Sequence, residues 1–264
     1  MKKRKKQAAR SRPPRRTSRW KPSRLANSLE ALLCAALLAG FLGGFYNFSR
    51  AYAGFRVWKL QIDGVRHLDE QTIAEASGIT PRDPIFFFDA EAAARAVETL
   101  PYVKTCAVAI DFPDVIKLSV VERKEWASLL INSRAFAIDN EGIVLREYAA
   151  DEMPLTPFIT DVPGLEFVAP GQPVKNEEFR EAMAVLKAFN ANAASTEVTV
   201  SEVAAGSVDD IRMYCDELPY ELRWGRGDYD EQARRLAVFW SEVGLARHLT
   251  EYLDLRFGRN IAAK

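Results

Sequence analysis

The chain has 264 residues, with 36 Lys+Arg against 36 Asp+Glu, 48% hydrophobic residues, three Cys and two His. The zero net charge hides a split: residues 1–24 hold twelve basic residues and no acidic one, leaving 24 basic and 36 acidic residues for the other 240. That split excludes a uniformly basic nucleic-acid-binding domain, and three Cys exclude a disulfide-stapled scaffold or a four-Cys zinc site.

The basic stretch at 1–24 (KKRKK, RPPRR, SRWKPSR) is poor in apolar residues and reads as a disordered tail. Its simplest role is to fix topology by lying on anionic headgroups, with no nucleic-acid partner expected. Between Glu30 and Arg50 lie 19 residues without a charge. At about 1.5 Å per residue they make a helix of roughly 28 Å, close to the ~30 Å of a hydrocarbon core. A transmembrane helix is therefore predicted over 25–49, with Phe45, Tyr46 and Phe48 at one interface. Ala51-Tyr52-Ala53 matches a signal-peptidase site, but the apolar run exceeds the roughly 7–15 residues of a cleaved signal, so an uncleaved anchor is the reading. Twelve cations precede the span and only Arg50, Arg56 and Lys59 follow closely, which places the N-terminus inside and the rest outside. Ala36, Gly40 and Gly44 recur every fourth residue, a face on which helices can approach closely for pairing or weak self-association.

Residues 57–123 read as β-α-α-β-β. Trp58, Leu60 and Ile62 alternate with Val57, Lys59 and Gln61, a half-buried strand followed by a turn at Asp63-Gly64. Asp69 caps a short helix ending at Gly78, and Asp89 caps a second, with Ala93, Val97 and Leu100 on one face and Pro101 beyond its end. Strands at Val103–Ile110 and around Ile116, Leu118 and Val120 flank a turn at Asp111–Asp114.

The remainder reads as β-rich with two helices. A hairpin turns at Asp139-Asn140-Glu141-Gly142 between Ala135–Ile138 and Ile143–Leu145, and a Pro-rich stretch, Met153–Pro173, crosses to a helix. In that helix Phe179, Ala182, Met183, Leu186 and Phe189 share a face. Strands follow near Glu197–Val203, Ile211–Cys215 and Tyr220–Trp224. A helix over Tyr229–His248 should bury Leu236, Phe239, Trp240 and Val243, before a last strand at Glu251–Phe257.

Catalytic groupings are not apparent. His67 and His248 fit no metal spacing, Asp139–Gly142 lacks the downstream Glu of a calcium loop, and Asp209-Asp210 reads as a solvated turn. No G-x-S-x-G or P-loop occurs, so neither enzyme activity nor a cofactor is expected. Cys106 and Cys215 sit in strand-like settings and read as small buried residues ahead of a disulfide. What remains is interaction surface, with the first and last exported strands as edges for strand addition.

"VWKLQIDGVRHLDEQTIAEASGI" and "LPYVKTCAVAIDFPDVIKLSVVER" resemble a POTRA domain. Its setting, after a basic tail and one span, resembles the bacterial FtsQ/DivIB division family. "AFAIDNEGIVL", "ELRWGRGDYDEQARRLAVF" and "YLDLRF" resemble the family's second domain. In two places the chain departs from the family. Lys124-Glu125-Trp126 follows Arg123 where the family usually has Pro, leaving the strand free to run on into the next domain; and the eight residues after Arg256 allow only a short further strand. The resulting fold is α+β: a tail at 1–24, a span at 25–49, POTRA at 55–124, a β domain at 125–258 and a C-terminal tail at 259–264.

The resemblance implies an inner-membrane scaffold with periplasmic domains, enriched at the septum and helping to control septal peptidoglycan synthesis without catalysis. It links early cytoplasmic to late periplasmic division proteins, with FtsB and FtsL types as partners. By the same resemblance, the edge at Tyr252, Asp254, Arg256 and Phe257 receives a strand of FtsB. Alternation puts Leu253 and Leu255 inward and Tyr252 and Arg256 outward, with Arg256 able to clamp a carboxylate; the alternative is an ordinary edge strand whose Arg256 bridges to Asp254 or a nearby helix. The rival reading is a POTRA-type chaperone or assembly factor for envelope export, which normally carries several POTRA copies or a barrel. The cation imbalance makes topology testable: a periplasm-active reporter should work when fused after Lys264 and stay silent before Met1. The opposite pattern would sink the topology.

Overall fold

The computed structural model describes residues 24–51, 56–81, 83–154, 157–246, 251–258 and 260–264. The tail 1–23, the Ala53 cleavage position and His248 lie outside the described residues. The chain forms two compact units, Met1–Ala53 and Gly54–Lys264.

The first unit contains helix α1 (Arg24–Ala51), whose stretch Glu30–Phe48 has a mean hydropathy of 1.7 and no residue buried by protein. Leu32, Phe41 and Phe48 are all more than half exposed, as fits a helix that is apolar all round and long enough to cross a membrane.

The second unit opens with a three-stranded sheet in the order β1-β3-β2, formed by β1 (Lys59–Asp63), β2 (Val103–Asp111) and β3 (Val115–Glu122). β1 runs parallel to β3, and β2 antiparallel. Helices α2 (Glu70–Ser77) and α3 (Ala90–Val97) start where the sequence places their caps: Asp69 accepts the Thr72 N–H and Asp89 the Ala92 N–H. Ile73 and Val97 from the helices meet Val103, Ile116, Leu118 and Val120 from the sheet in one buried cluster.

Nine strands build the second sheet, ordered β12-β11-β10-β9-β8-β7-β4-β5-β6. They are β4 (Ala127–Ile131), β5 (Arg134–Ile138), β6 (Val144–Glu147), β7 (Phe158–Thr160), β8 (Val200–Ala204), β9 (Ile211–Cys215), β10 (Glu221–Trp224), β11 (Tyr252–Asp254) and β12 (Ala262–Ala263). Helices α4 (Glu177–Asn190) and α5 (Tyr229–Val243) contribute Phe179, Leu186, Phe189, Leu236 and Trp240 to one core with Leu129, Ile159, Ile211, Leu222 and Trp224. Phe189 stands edge-on to both Trp224 and Trp240, with centroids 6.4 Å away in each case.

The structure corrects four details of the sequence reading. β4 and β7, near the middle of the sheet, carry no alternating signal and were not anticipated. α5 stops at Val243, ended by Gly244, so Val243 is 52% exposed instead of buried. β3 ends at Glu122 and does not run into β4. The last predicted strand shortens to Tyr252–Asp254, because the Asp254 carboxylate accepts the Arg256 N–H at 3.0 Å and turns the chain; Ala262–Ala263 then returns as β12.

Gly64 has φ +93°, and a Cβ there would lie 2.0 Å from the Val120 carbonyl oxygen. Gly64→Ala therefore combines backbone strain with a clash against β3. It should lower stability by at least about 1 kcal/mol in thermal or urea unfolding. Unchanged stability would mean that this turn is free to move away from β3.

Candidate interaction sites

Two places concentrate ordered polar groups. The first is the junction between the sheets. Glu122, at the end of β3, turns its carboxylate onto the loop after β1 and accepts the N–H groups of Arg66, His67 and Leu68 at 3.0–3.1 Å. His67 Nδ1 adds a contact at 3.1 Å, and its ring stacks on Tyr102 at 5.7 Å. Burial raises the Glu122 pKa, but the converging N–H groups outweigh it and hold the carboxyl at about 2.

Arg123 points the other way. Its guanidinium donates to Asp139 at 2.5 Å and to Glu141 at 2.7 Å, while Lys104 pairs with Glu141 at 2.8 Å. Asp139 is 2% exposed and also accepts the N–H groups of Glu141 and Ile143, each at 2.8 Å, closing the β5–β6 hairpin. Beyond it, Glu125 receives the hydroxyls of Tyr102 and Tyr148 at 2.8 Å and Arg146 Nε at 3.0 Å. Arg146 lies 4.3 Å from the Tyr148 ring and grips Glu152 with both terminal nitrogens. Burial raises the Glu125 pKa, and these hydrogen bonds more than reverse that. Tyr102 itself packs against Ala137, Leu145 and Tyr148.

The second place is the C-terminal edge. Leu253 and Leu255 are fully buried, as the alternation predicts. Tyr252 is half-buried beneath Arg223, whose Cζ lies 4.1 Å from the ring centroid. Asp254 is 2% exposed, chelated by Arg256 through contacts of 2.6–3.1 Å. Arg256 also reaches Asp210 at 3.2 Å, so its guanidinium already holds two carboxylates. A partner carboxylate would have to exchange with one of them. Burial raises the Asp254 pKa, but the Arg256 hydrogen bonds outweigh it and leave it lowered. Phe257 is 57% exposed. Gly225 makes this arrangement possible: a Cβ there would come within 3.1–3.3 Å of Arg256 Cγ, Cα and Cβ.

β12 covers β11, pairing Leu253 with Ala263 and Asp254 with Ala262, so the outer row of backbone groups at this end of the sheet belongs to β12. Ala36, Gly40 and Gly44 are exposed along α1 at four-residue spacing. Cys106 and Cys215 are free, buried thiols; burial pushes both up, Cys215 to about 12. Among the described residues, no three His, Cys, Asp or Glu side chains gather as a metal site. The sequence reading passed over Tyr102, Glu122, Arg123 and Arg146; the signal available was the Glu-Arg pair closing the POTRA-like stretch.

One long apolar helix suited to membrane anchoring, then a β-α-α-β-β module joined to a mixed nine-stranded sheet, define the class of protein. Residues 55–123 match the family description "POTRA domain, FtsQ-type", and 127–256 match "Cell division protein FtsQ/DivIB, C-terminal". Relatives named "Cell division protein FtsQ" include one from Anaeromyxobacter sp. (strain K), 26% identical over 88% of this chain and 79% of its own. Those from Syntrophotalea carbinolica and Geobacter sp. (strain M21) are 23% and 21% identical, over 80% and 89% of this chain and 74% and 84% of their own. The chain belongs to the FtsQ/DivIB family of cell division proteins, a non-catalytic division family.

Glu122 makes the junction pH-dependent. Its folded pKa of about 2 lies below the ordinary 4.5, so its contribution is complete above about pH 4.5 and is lost as pH falls toward 2. The shift corresponds to roughly 3 kcal/mol at neutral pH. Glu122→Gln should lower stability at pH 7 and flatten the acid limb between pH 4.5 and 2 in pH-resolved unfolding; an acid limb identical to wild type would remove Glu122 from this role.

Proposed function

We propose that the protein is a divisome scaffold of the inner membrane, with its tail inside, its span at 25–49 and its POTRA and β domains (55–124 and 125–258) in the periplasm at the septum. It links early cytoplasmic to late periplasmic division proteins and helps control septal peptidoglycan synthesis through FtsB- and FtsL-type partners. Family membership supports the division role, and the N-terminal helix supports anchoring. Beyond that, one observation carries the reading: the sheet ends at a two-residue strand, β12, an edge on which a partner strand can add. Phe257 offers an apolar contact beside that edge, and Arg256 a guanidinium that can trade Asp210 for a partner carboxylate. On α1, Ala36, Gly40 and Gly44 form the face for helix pairing.

The test is binding of an FtsB-like peptide to the full chain in lipid nanodiscs. Arg256→Glu and Phe257→Ala should each weaken binding by about 2 kcal/mol or more, the cost expected of a central contact. Unchanged affinity in both variants, with circular dichroism unaltered, would place the site elsewhere. Midcell fluorescence of a tagged copy separates this reading from an export chaperone, which would be distributed around the envelope.

A further inference from the structure

The entry end of the POTRA sheet, opposite the junction, carries large aromatic side chains that stay exposed. Three segments meet there. The Val57 N–H donates to the Asp83 carbonyl and the Trp58 N–H to the Asp114 carbonyl, both at 2.9 Å, and Arg56 bridges to Pro84. On these segments Trp58 is 84% exposed, Phe112 57% and Phe86 38%, and the Phe86 and Phe112 rings lie 5.4 Å apart. Single exposed apolar residues are common on protein surfaces, but several large aromatic rings gathered at one end of a module mark an interaction or membrane-facing surface.

Chain connectivity says what lies nearby. α1 ends at Ala51, and only five residue steps separate it from Arg56, a reach of at most about 18 Å. The intervening sequence, Tyr52-Ala53-Gly54-Phe55, has no charge and two more aromatic residues. Among the described residues of these segments, Arg56, Lys59 and Lys117 stand against Asp83, Asp111 and Asp114, with Lys117 held by Asp111 at 2.7 Å. Aromatic rings with a rim of mixed charge match the headgroup region of a bilayer, which takes up aromatic side chains without requiring anionic lipid.

We infer that Trp58, Phe86 and Phe112 form an interfacial anchor that docks the POTRA module on the outer leaflet of the membrane crossed by α1. The inference rests on α1 being a membrane span. Docking through the rings tethers the module at a second point, so it does not swing freely on its linker.

The full chain would be reconstituted in phosphatidylcholine nanodiscs, and the Trp58 signal isolated as the difference between wild type and Trp58→Phe. Expected is quenching by doxyl-labelled lipid, protection from aqueous iodide and no change in 0.5 M KCl. Phe86→Ser and Phe112→Ser should each weaken docking about tenfold, seen as recovered iodide access. Four results would overturn the inference: Trp58 open to iodide in discs that contain the chain; protection that salt abolishes and anionic lipid restores, which assigns headgroup charge instead; protection that appears only at high loading, which assigns a second copy; or unaltered docking in both Ser variants. Failure of the chain to co-elute with discs is a separate result, removing the membrane-span reading and the anchor together.

Discussion

The carboxylate of Asp139 ties the two modules after α1 together. One oxygen closes the β5–β6 hairpin through two backbone N–H groups, and the other holds Arg123 at 2.5 Å. A carboxylate that is 2% exposed is tolerable only with such partners, since an unpaired buried charge costs several kcal/mol. The same group thus shapes the β module and joins it to POTRA. Glu122 does the reciprocal work one residue earlier, fixing the loop after β1 from the end of β3. Adjacent residues of opposite charge therefore point into opposite modules, where β3 ends.

The rest of the junction extends this arrangement with groups that are individually modest. Tyr102 contributes a ring to the apolar contact with Leu145 and Tyr148 and a hydroxyl to Glu125. Arg146 spans from Glu125 to Glu152 while covering Tyr148. Because these groups share partners, their effects should be coupled and not additive. Such a network fixes an angle between modules more effectively than one long apolar patch, since hydrogen bonds are lost on small rotations.

Legibility in the sequence followed the strength of local signals. The starts of α2 and α3 could be placed from Asp69 and Asp89, and α4 from the Phe179–Phe189 stripe, while α3 ends at Val97, short of the Leu100 that the apolar spacing puts on its face. The β5–β6 hairpin was readable from Asp139–Gly142 because turn chemistry is local. β4 was missed because both of its faces are covered: Ala127, Ser128 and Leu129 are all fully buried, so the period of two disappears. β7 was hidden by its three-residue length inside a Pro-rich crossing. The junction was illegible for a different reason. Glu122 and His67 are 55 residues apart, and Arg146 and Tyr102 are 44 apart, and no local pattern announces such meetings. At the C-terminal edge, alternation gives the inward leucines and the Arg256–Asp254 bridge is one of the two sequence readings, but no local pattern announces the Asp210 contact 46 residues away.

Strand order sets a distance. The hairpin strand β6, beside the junction, and β12, at the other end, are the two borders of a nine-stranded sheet. At about 4.8 Å per strand, the eight steps between them amount to roughly 38 Å. A molecule seated against β12 would therefore have no steric claim on the junction beside β6. Hydrogen-bonded strands resist stretching along that direction, so the sheet holds the two ends at a nearly fixed separation and acts between them as a spacer.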